Sequence, residues 1–168
     1  MPLELARVPH ETFDPEPWRG DLLSFLRRMG ASHDAEDLVQ ETFLRTVTRP
    51  PQGSVKPWLF GIALNLLRDR VRRDGRSERA RPTLVASQRE APVDPAIAVE
   101  RNDLAARAQA LTEELPERQR AALLLRVRHG FEYGEVAAAL HCTEATARQH
   151  FYLALKVLRD RLRDGDDR

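Results

Sequence analysis

Six side chains near the C-terminus have types and spacing suited to recognition chemistry with no covalent step. Gln149, Tyr152, Lys156, Arg159 and Arg163 recur at three- and four-residue steps, with Arg148 beside the first, so a helix would carry them on one face. Arginine and lysine neutralise phosphates, arginine pairs bidentately with guanine, and glutamine does so with adenine. Arg148 is the best candidate for a phosphate or guanine contact and Gln149 for an adenine edge; Tyr152 and Lys156 lie further along. Thr143 and Thr146 complete this set of candidate contacts, and Thr143 also reads as the helix N-cap. The opposite face, Ala147, Phe151, Ala154, Leu155, Leu158 and Leu162, is an apolar stripe that anchors the helix to a core. A plain surface helix in a bundle would show the same two faces, so the neighbouring elements have to decide.

Upstream, a helix is expected over about 116–129, broken at Gly130, and a short helix over about 133–140, with Val136, Ala137 and Leu140 inward. His141 and Cys142 form a tight joint before the last helix, about 143–163. Helix, short turn, helix over about 132–163 is a helix-turn-helix layout, whose second helix enters the DNA major groove.

The rest of the chain bounds this reading. Its 168 residues allow one ordinary domain or two small ones, and 27 basic against 26 acidic residues argue against indiscriminate coating of nucleic acid. Strand-like alternation is absent, so the fold class is all-α. Cys142 is the single cysteine, which precludes an intramolecular disulfide and fits a cytoplasmic location. His141, Cys142 and His150 fall short of a four-ligand zinc spacing, so no metal is expected. No phosphate loop, nucleophile elbow or other cofactor motif is present, and an enzyme is disfavoured. No run approaches the roughly 20 apolar residues of a membrane span, and the N-terminus lacks a signal-peptide layout.

Four segments are expected: a flexible leader over 1–17, a helical unit over 18–75, a flexible linker over 76–95 and a second helical unit over 96–168. In the first unit, Asp34, Glu36 and Asp37 open a helix with charge that suits its dipole; Leu38, Val39, Phe43, Leu44 and Val47 are its expected apolar face. A proline-rich loop leads into a helix over about 55–73 that carries Trp58, Leu59, Ile62, Ala63, Leu66 and Leu67 inward. Its end is dense in arginine: Arg68, Arg70, Arg72, Arg73, Arg76, Arg79 and Arg81 exceed what a helix terminus needs and read as a phosphate-contacting face.

The segments DAEDLVQETFLRTV (34–47), KPWLFGIALNLLRDRVRR (56–73) and LPERQRAALLLRVRHGFEYGEVAAAL (115–140) together resemble the bacterial extracytoplasmic-function (ECF) sigma factors, which contain sigma regions 2 and 4. The resemblance implies two small helical domains joined by a linker, and a protein that binds core RNA polymerase and directs it to promoters. It implies polymerase docking through Asp37, Leu38, Gln40, Glu41 and Phe43. It implies minus-ten recognition and melting by the loop from Arg49 to Lys56 and the helix after it, through Gln52, Ser54, Lys56, Asn65, Arg68, Arg72 and Arg73, with Trp58 mainly in the core. The helix-turn-helix would read the minus-thirty-five element, and an anti-sigma factor is the implied inhibitor. The recognition helix is less basic than is usual in this family, and Glu144 stands at its start. Two alternatives stay open on the residues: a sigma-like regulator that binds polymerase or DNA without initiating, and a stand-alone helix-turn-helix regulator.

Overall fold

A computed structural model describes residues 13–49, 51, 53–79 and 99–166. Among these, every regular element is helical. A 3₁₀ turn (Glu16–Trp18) leads into α1 (Arg19–Arg28), α2 (Ala35–Thr48), α3 (Val55–Arg79), α4 (Val99–Glu113), α5 (Glu117–Val127), α6 (Tyr133–Leu140) and α7 (Glu144–Asp166). They form two helical units, α1–α3 and α4–α7, as the periodicity predicts.

In α1, Leu22, Phe25 and Leu26 are fully buried at i, i+3, i+4 spacing. The helix stops at Gly30, whose φ of 102° is open to glycine at little cost. The inward face of α2 differs from the expected one. Ala35, Leu38, Val39, Thr42 and Thr46 point into the core, whereas Leu44 (64% exposed) and Val47 (83% exposed) point to solvent. Positions 35, 38, 42 and 46 share a stripe that 44 and 47 do not. The threonines tolerate burial because their hydroxyls donate to the Leu38 and Phe43 carbonyls, each at 2.7 Å.

Helix α3 buries more than one stripe: Leu59, Phe60, Ala63, Leu64, Leu66 and Leu67 are all buried, while Trp58 and Ile62 are half-buried against the core. The reason is that α3 has neighbours on two sides, α1 and α2 on one and α6 on the other. It also continues to Arg79, into the segment expected to be linker. Arginine and glutamate propagate a helix well, and no proline intervenes before Pro82. The remainder of the expected linker, and most of the expected leader, lie outside the described residues.

In the second unit α7 packs on α4, α5 and α6. At the start of α6 the Glu132 N–H donates to the Glu135 carboxylate at 2.8 Å, one half of a reciprocal capping box. At its end the Cys142 N–H bonds to the Ala137 carbonyl (3.0 Å) and the His141 N–H to the Ala138 carbonyl (3.4 Å), which is the Schellman pattern. His141 takes the left-handed conformation that this pattern demands, at φ 51°. Thr143 caps α7 as expected, accepting from the Thr146 N–H at 3.2 Å.

The two units are not held apart. Phe60 of α3 lies 5.1 Å from Phe25, 4.9 Å from His129 and 5.1 Å from Phe131, ring centre to ring centre. One continuous apolar core runs from Leu22 through α3 to Val136 and Ala147. A Cβ added at Gly61 would meet the Ala139 carbonyl oxygen at 3.3 Å, so α3 and α6 touch nearly backbone to backbone.

Candidate functional site

Three surfaces carry the residues singled out by sequence. The first is on α2. Asp37, Gln40 and Glu41 are exposed and Phe43 is half-buried under the Arg19 guanidinium, 5.0 Å from its ring centre. Leu38, at 2% exposure, is core and supports this face from beneath instead of forming it. Leu44 continues the exposed stripe of Asp37, Gln40 and Glu41 at helical spacing, and Val47 lies beside it. The surface therefore combines apolar side chains with the carboxylates of Asp37 and Glu41, the latter paired with Arg45 at 3.4 Å. Sequence reading placed these two side chains inside; the buried threonines could have been anticipated from their spacing with Leu38. Asp34 and Arg70 pair at 2.8 Å and tie the start of α2 to α3, so this arginine has a structural partner.

The second surface is α3 and the loop before it. Ser54, Arg72 and Arg73 are exposed, and Gln52 lies outside the described residues. Lys56, Asn65 and Arg68 are turned toward the second unit. The Lys56 ammonium donates to the His129 carbonyl at 2.9 Å and sits 5.2 Å from the Phe131 ring centre. Asn65 Nδ2 lies 3.1 Å from His141 Nε2. The Arg68 guanidinium, 16% exposed, forms a bidentate pair with Glu117 (Nη2–Oε1 2.7 Å, Nε–Oε2 3.0 Å). The loop and Trp58 open on a cleft of about 790 Å³ with Arg45, Arg49 and Ser54 on one side and Glu135, Ala138 and His141 on the other. Trp58 itself stands edge-on to Phe13 at 5.9 Å, consistent with a packing role.

The third surface is the outer face of α7. Arg148, Gln149, Tyr152 and Lys156 are exposed as expected. Thr143 and Thr146 bond to one another through their hydroxyls (2.8 Å) at the helix start. Arg148 is not loose: its guanidinium pairs with Glu144 and lies 4.4 Å from the Tyr133 ring centre. Arg126 approaches the same ring at 4.3 Å. A ring that attracts two guanidiniums fixes them more firmly than solvent would. Tyr133 was not singled out by sequence, and only its position at the start of α6 hints at this role.

Between the units sits His129, 8% exposed, with its Nε2 unpaired. Burial pushes its pKa down to about 4; Asp21 opposes this, and Lys56, Arg128 and Arg28 add to it. Burial also raises the Cys142 thiol, with Arg118 opposing. Among the described residues no group of three acidic, histidine or cysteine side chains is arranged to hold a metal, and no helix is long and apolar enough to cross a membrane.

Comparison with known proteins bears on these surfaces. Residues 16–77 match the sigma-70 region 2 family and residues 105–158 match sigma-70 region 4. The ECF RNA polymerase sigma factor SigM of Bacillus subtilis is 32% identical over 147 residues, spanning 84% of this chain and 88% of SigM. SigE of Mycolicibacterium smegmatis, also an ECF sigma factor, is 36% identical over 140 residues, 81% of this chain but 54% of SigE. The fold resembles that of the sigma factor RpoE in its co-crystal with the anti-sigma factor NepR from Bartonella quintana: TM-score 0.71, 24% identity, 89% of this chain and 94% of that one. It also resembles CnrH in complex with the cytosolic domain of CnrY, with TM-score 0.62, 22% identity, and 89% and 85% coverage. Identity to both structures is low enough that they speak to fold alone. Two regional families in the expected order, and SigM matched over most of its length, identify the chain as a member of the ECF sigma factor family.

Proposed function

We propose that this chain binds core RNA polymerase, brings it to selected promoters and helps open the duplex, acting by binding with no catalysis of its own. The observation that carries this reading is the α2 surface. Leu44 and Val47 stand exposed beside Asp37, Gln40 and Glu41. An exposed apolar patch with a charged rim marks a protein-binding face, and acidic groups suit a basic partner.

In this reading residues 18–75 act as region 2 and residues 96–168 as region 4. The α3 face, with Ser54, Asn65, Arg68, Arg72 and Arg73, takes the minus-ten strand. A displaced strand needs cations for its backbone and a pocket for an unstacked base, and the loop before α3 borders a cleft of about 790 Å³. The α7 face takes the minus-thirty-five element through Arg148 and Gln149. Such a protein works in the cytoplasm, and a proteinaceous inhibitor covering the α2 surface would silence it; of two solved structures of like fold, one is a sigma factor in complex with an anti-sigma factor and the other is CnrH in complex with the cytosolic domain of CnrY.

The test is association with purified core polymerase, followed by permanganate footprinting of promoter fragments. Binding together with reactive thymines near the start site supports initiation. Binding without opening on any fragment would point to the sigma-like regulator. Absence of polymerase binding would reject the reading.

A further inference from the structure

We propose that a cleft between α3 and α5 binds a nucleoside di- or triphosphate, with its phosphates on Arg72, Arg118 and Arg120 and its base against Leu67 and Val71. Four guanidiniums and one carboxylate line this cleft of about 530 Å³. The carboxylate is already spent, because Glu117 pairs with Arg68 at 2.7–3.0 Å. Among the described residues, Arg72, Arg118 and Arg120 have no ion-pair partner. Arg118 reaches only the Leu140 carbonyl, at 3.4 Å.

Arg120 is the least compensated of the three. Its guanidinium donates to the Met29, Glu113 and Leu115 carbonyls, and its Nε is buried with no partner. Burial pushes its pKa down, with Glu113 and Glu117 opposing. Carbonyls satisfy its hydrogens and leave its charge unmatched. A partly buried cation with no counter-ion is costly, and phosphate oxygens meet guanidinium geometry well. Arg118 and Arg120 stand near the start of α5, where no side chain caps the free N–H groups, so the helix dipole adds to the positive field.

Charge alone would hold any anion, but the cleft also has an apolar wall. Leu64, Leu67 and Val71 line it from one stripe of α3. The two leucines are buried, whereas Val71 is 61% exposed beside Arg72. A flat base would cover Val71, and the Arg68 guanidinium, held by Glu117, presents a plane that stacks on aromatic rings. From Leu64 to Val71 the helix spans about 10 Å, which is room for one base and its phosphates and not for a run of nucleotides. The cleft volume also falls within the range of small-ligand sites, about 300–1,000 Å³.

The test is isothermal titration calorimetry of the full-length chain with ATP and GTP, with inorganic triphosphate, and with a short thymidine oligonucleotide. Saturable binding of ATP or GTP is expected, about tenfold tighter than of inorganic triphosphate. Arg118→Ala should weaken nucleotide binding about tenfold. Val71→Ser should weaken the nucleotide severalfold and leave inorganic triphosphate unchanged. Both side chains are exposed, so the fold survives, and circular dichroism checks this. Arg45→Ala removes the same charge at the cleft beside Trp58 and should change nothing. A loss with Arg45→Ala in place of Arg118→Ala would put the nucleotide in that other cleft and overturn the assignment. Inorganic triphosphate binding as tightly as ATP would overturn the base site, and the oligonucleotide binding as tightly would make the cleft part of a nucleic-acid path. No saturable heat at millimolar nucleotide would overturn the proposal outright. None of these titrations involves polymerase or a promoter, so their failure leaves the proposed function standing.

Discussion

Replacing His129 by glutamine should remove a specific part of the acid sensitivity of this protein. His129 is buried between Phe25 and Phe60, with a pKa pushed down to about 4 from an ordinary value of 6.5. Burial is the main cause. Asp21 on α1 favours the proton, while Lys56 on α3, Arg28 on α1 and the adjacent Arg128 resist it. The folded form therefore holds the neutral ring where the unfolded chain already binds a proton. The neutral ring's advantage is fully present above about pH 6.5, is lost as pH falls from there toward about 4, and changes no further below that. At about 1.4 kcal/mol per pH unit the full loss is about 3 kcal/mol, of which about 2 kcal/mol has gone by about pH 5. Urea denaturation of wild type and His129→Gln near pH 8 and pH 5 measures it. Carboxylates and His150, whose pKa burial also lowers, titrate in both proteins and cancel. Wild type should lose about 2 kcal/mol more than the variant. Equal losses would refute the idea that the ring stays neutral between the units.

Other substitutions probe the surfaces. Leu44→Asp with Val47→Asp should cost about 1–2 kcal/mol of stability, from helix propensity and from two acids near the C-terminal end of α2, with no loss of core packing because both side chains are exposed, yet weaken core-polymerase binding about tenfold or more in a titration by anisotropy. Thr143→Ala removes the α7 cap seen at 3.2 Å and should cost about 1 kcal/mol in urea denaturation, with faster amide exchange confined to the first turn of α7. Tyr133→Leu should loosen Arg148 and lower affinity for duplex promoter DNA severalfold in gel shifts, whereas Tyr133→Phe, which keeps the ring 4.4 Å from that guanidinium, should not.

Much of the fold was legible because α-helical stripes are a local property. Val136, Ala137 and Leu140, and the stripe from Ala147 to Leu162, are turned inward as their spacing predicts. Gly130 and the His141–Cys142 joint mark the turns. The misreadings share a different cause. Thr42 and Thr46 are polar by type but satisfy their hydroxyls within their own helix, so hydropathy alone put Leu44 and Val47 in their place. Phe60 and Gly61 look like a second, unexplained apolar stripe until Phe131 is seen against the first and Ala139 of α6 against the second. Those contacts join residues more than seventy positions apart, and no local pattern encodes them. For the same reason the sequence could nominate Lys56, Asn65 and Arg68 as cations and donors for DNA but could not reveal that they are already partnered. The α7 face fared better because exposure on an amphipathic helix follows from the stripe opposite it, although the grip of Glu144 and Tyr133 on Arg148 needed coordinates.

The most direct measurement is multi-round transcription with purified core polymerase on a pool of bacterial promoter fragments, with and without this protein, and with the Asp37→Ala, Glu41→Ala variant. Discrete transcripts that require the protein and vanish with the variant are the predicted result. Transcripts that do not depend on the protein, or that survive unchanged when the α2 surface is altered, would contradict initiation through that surface.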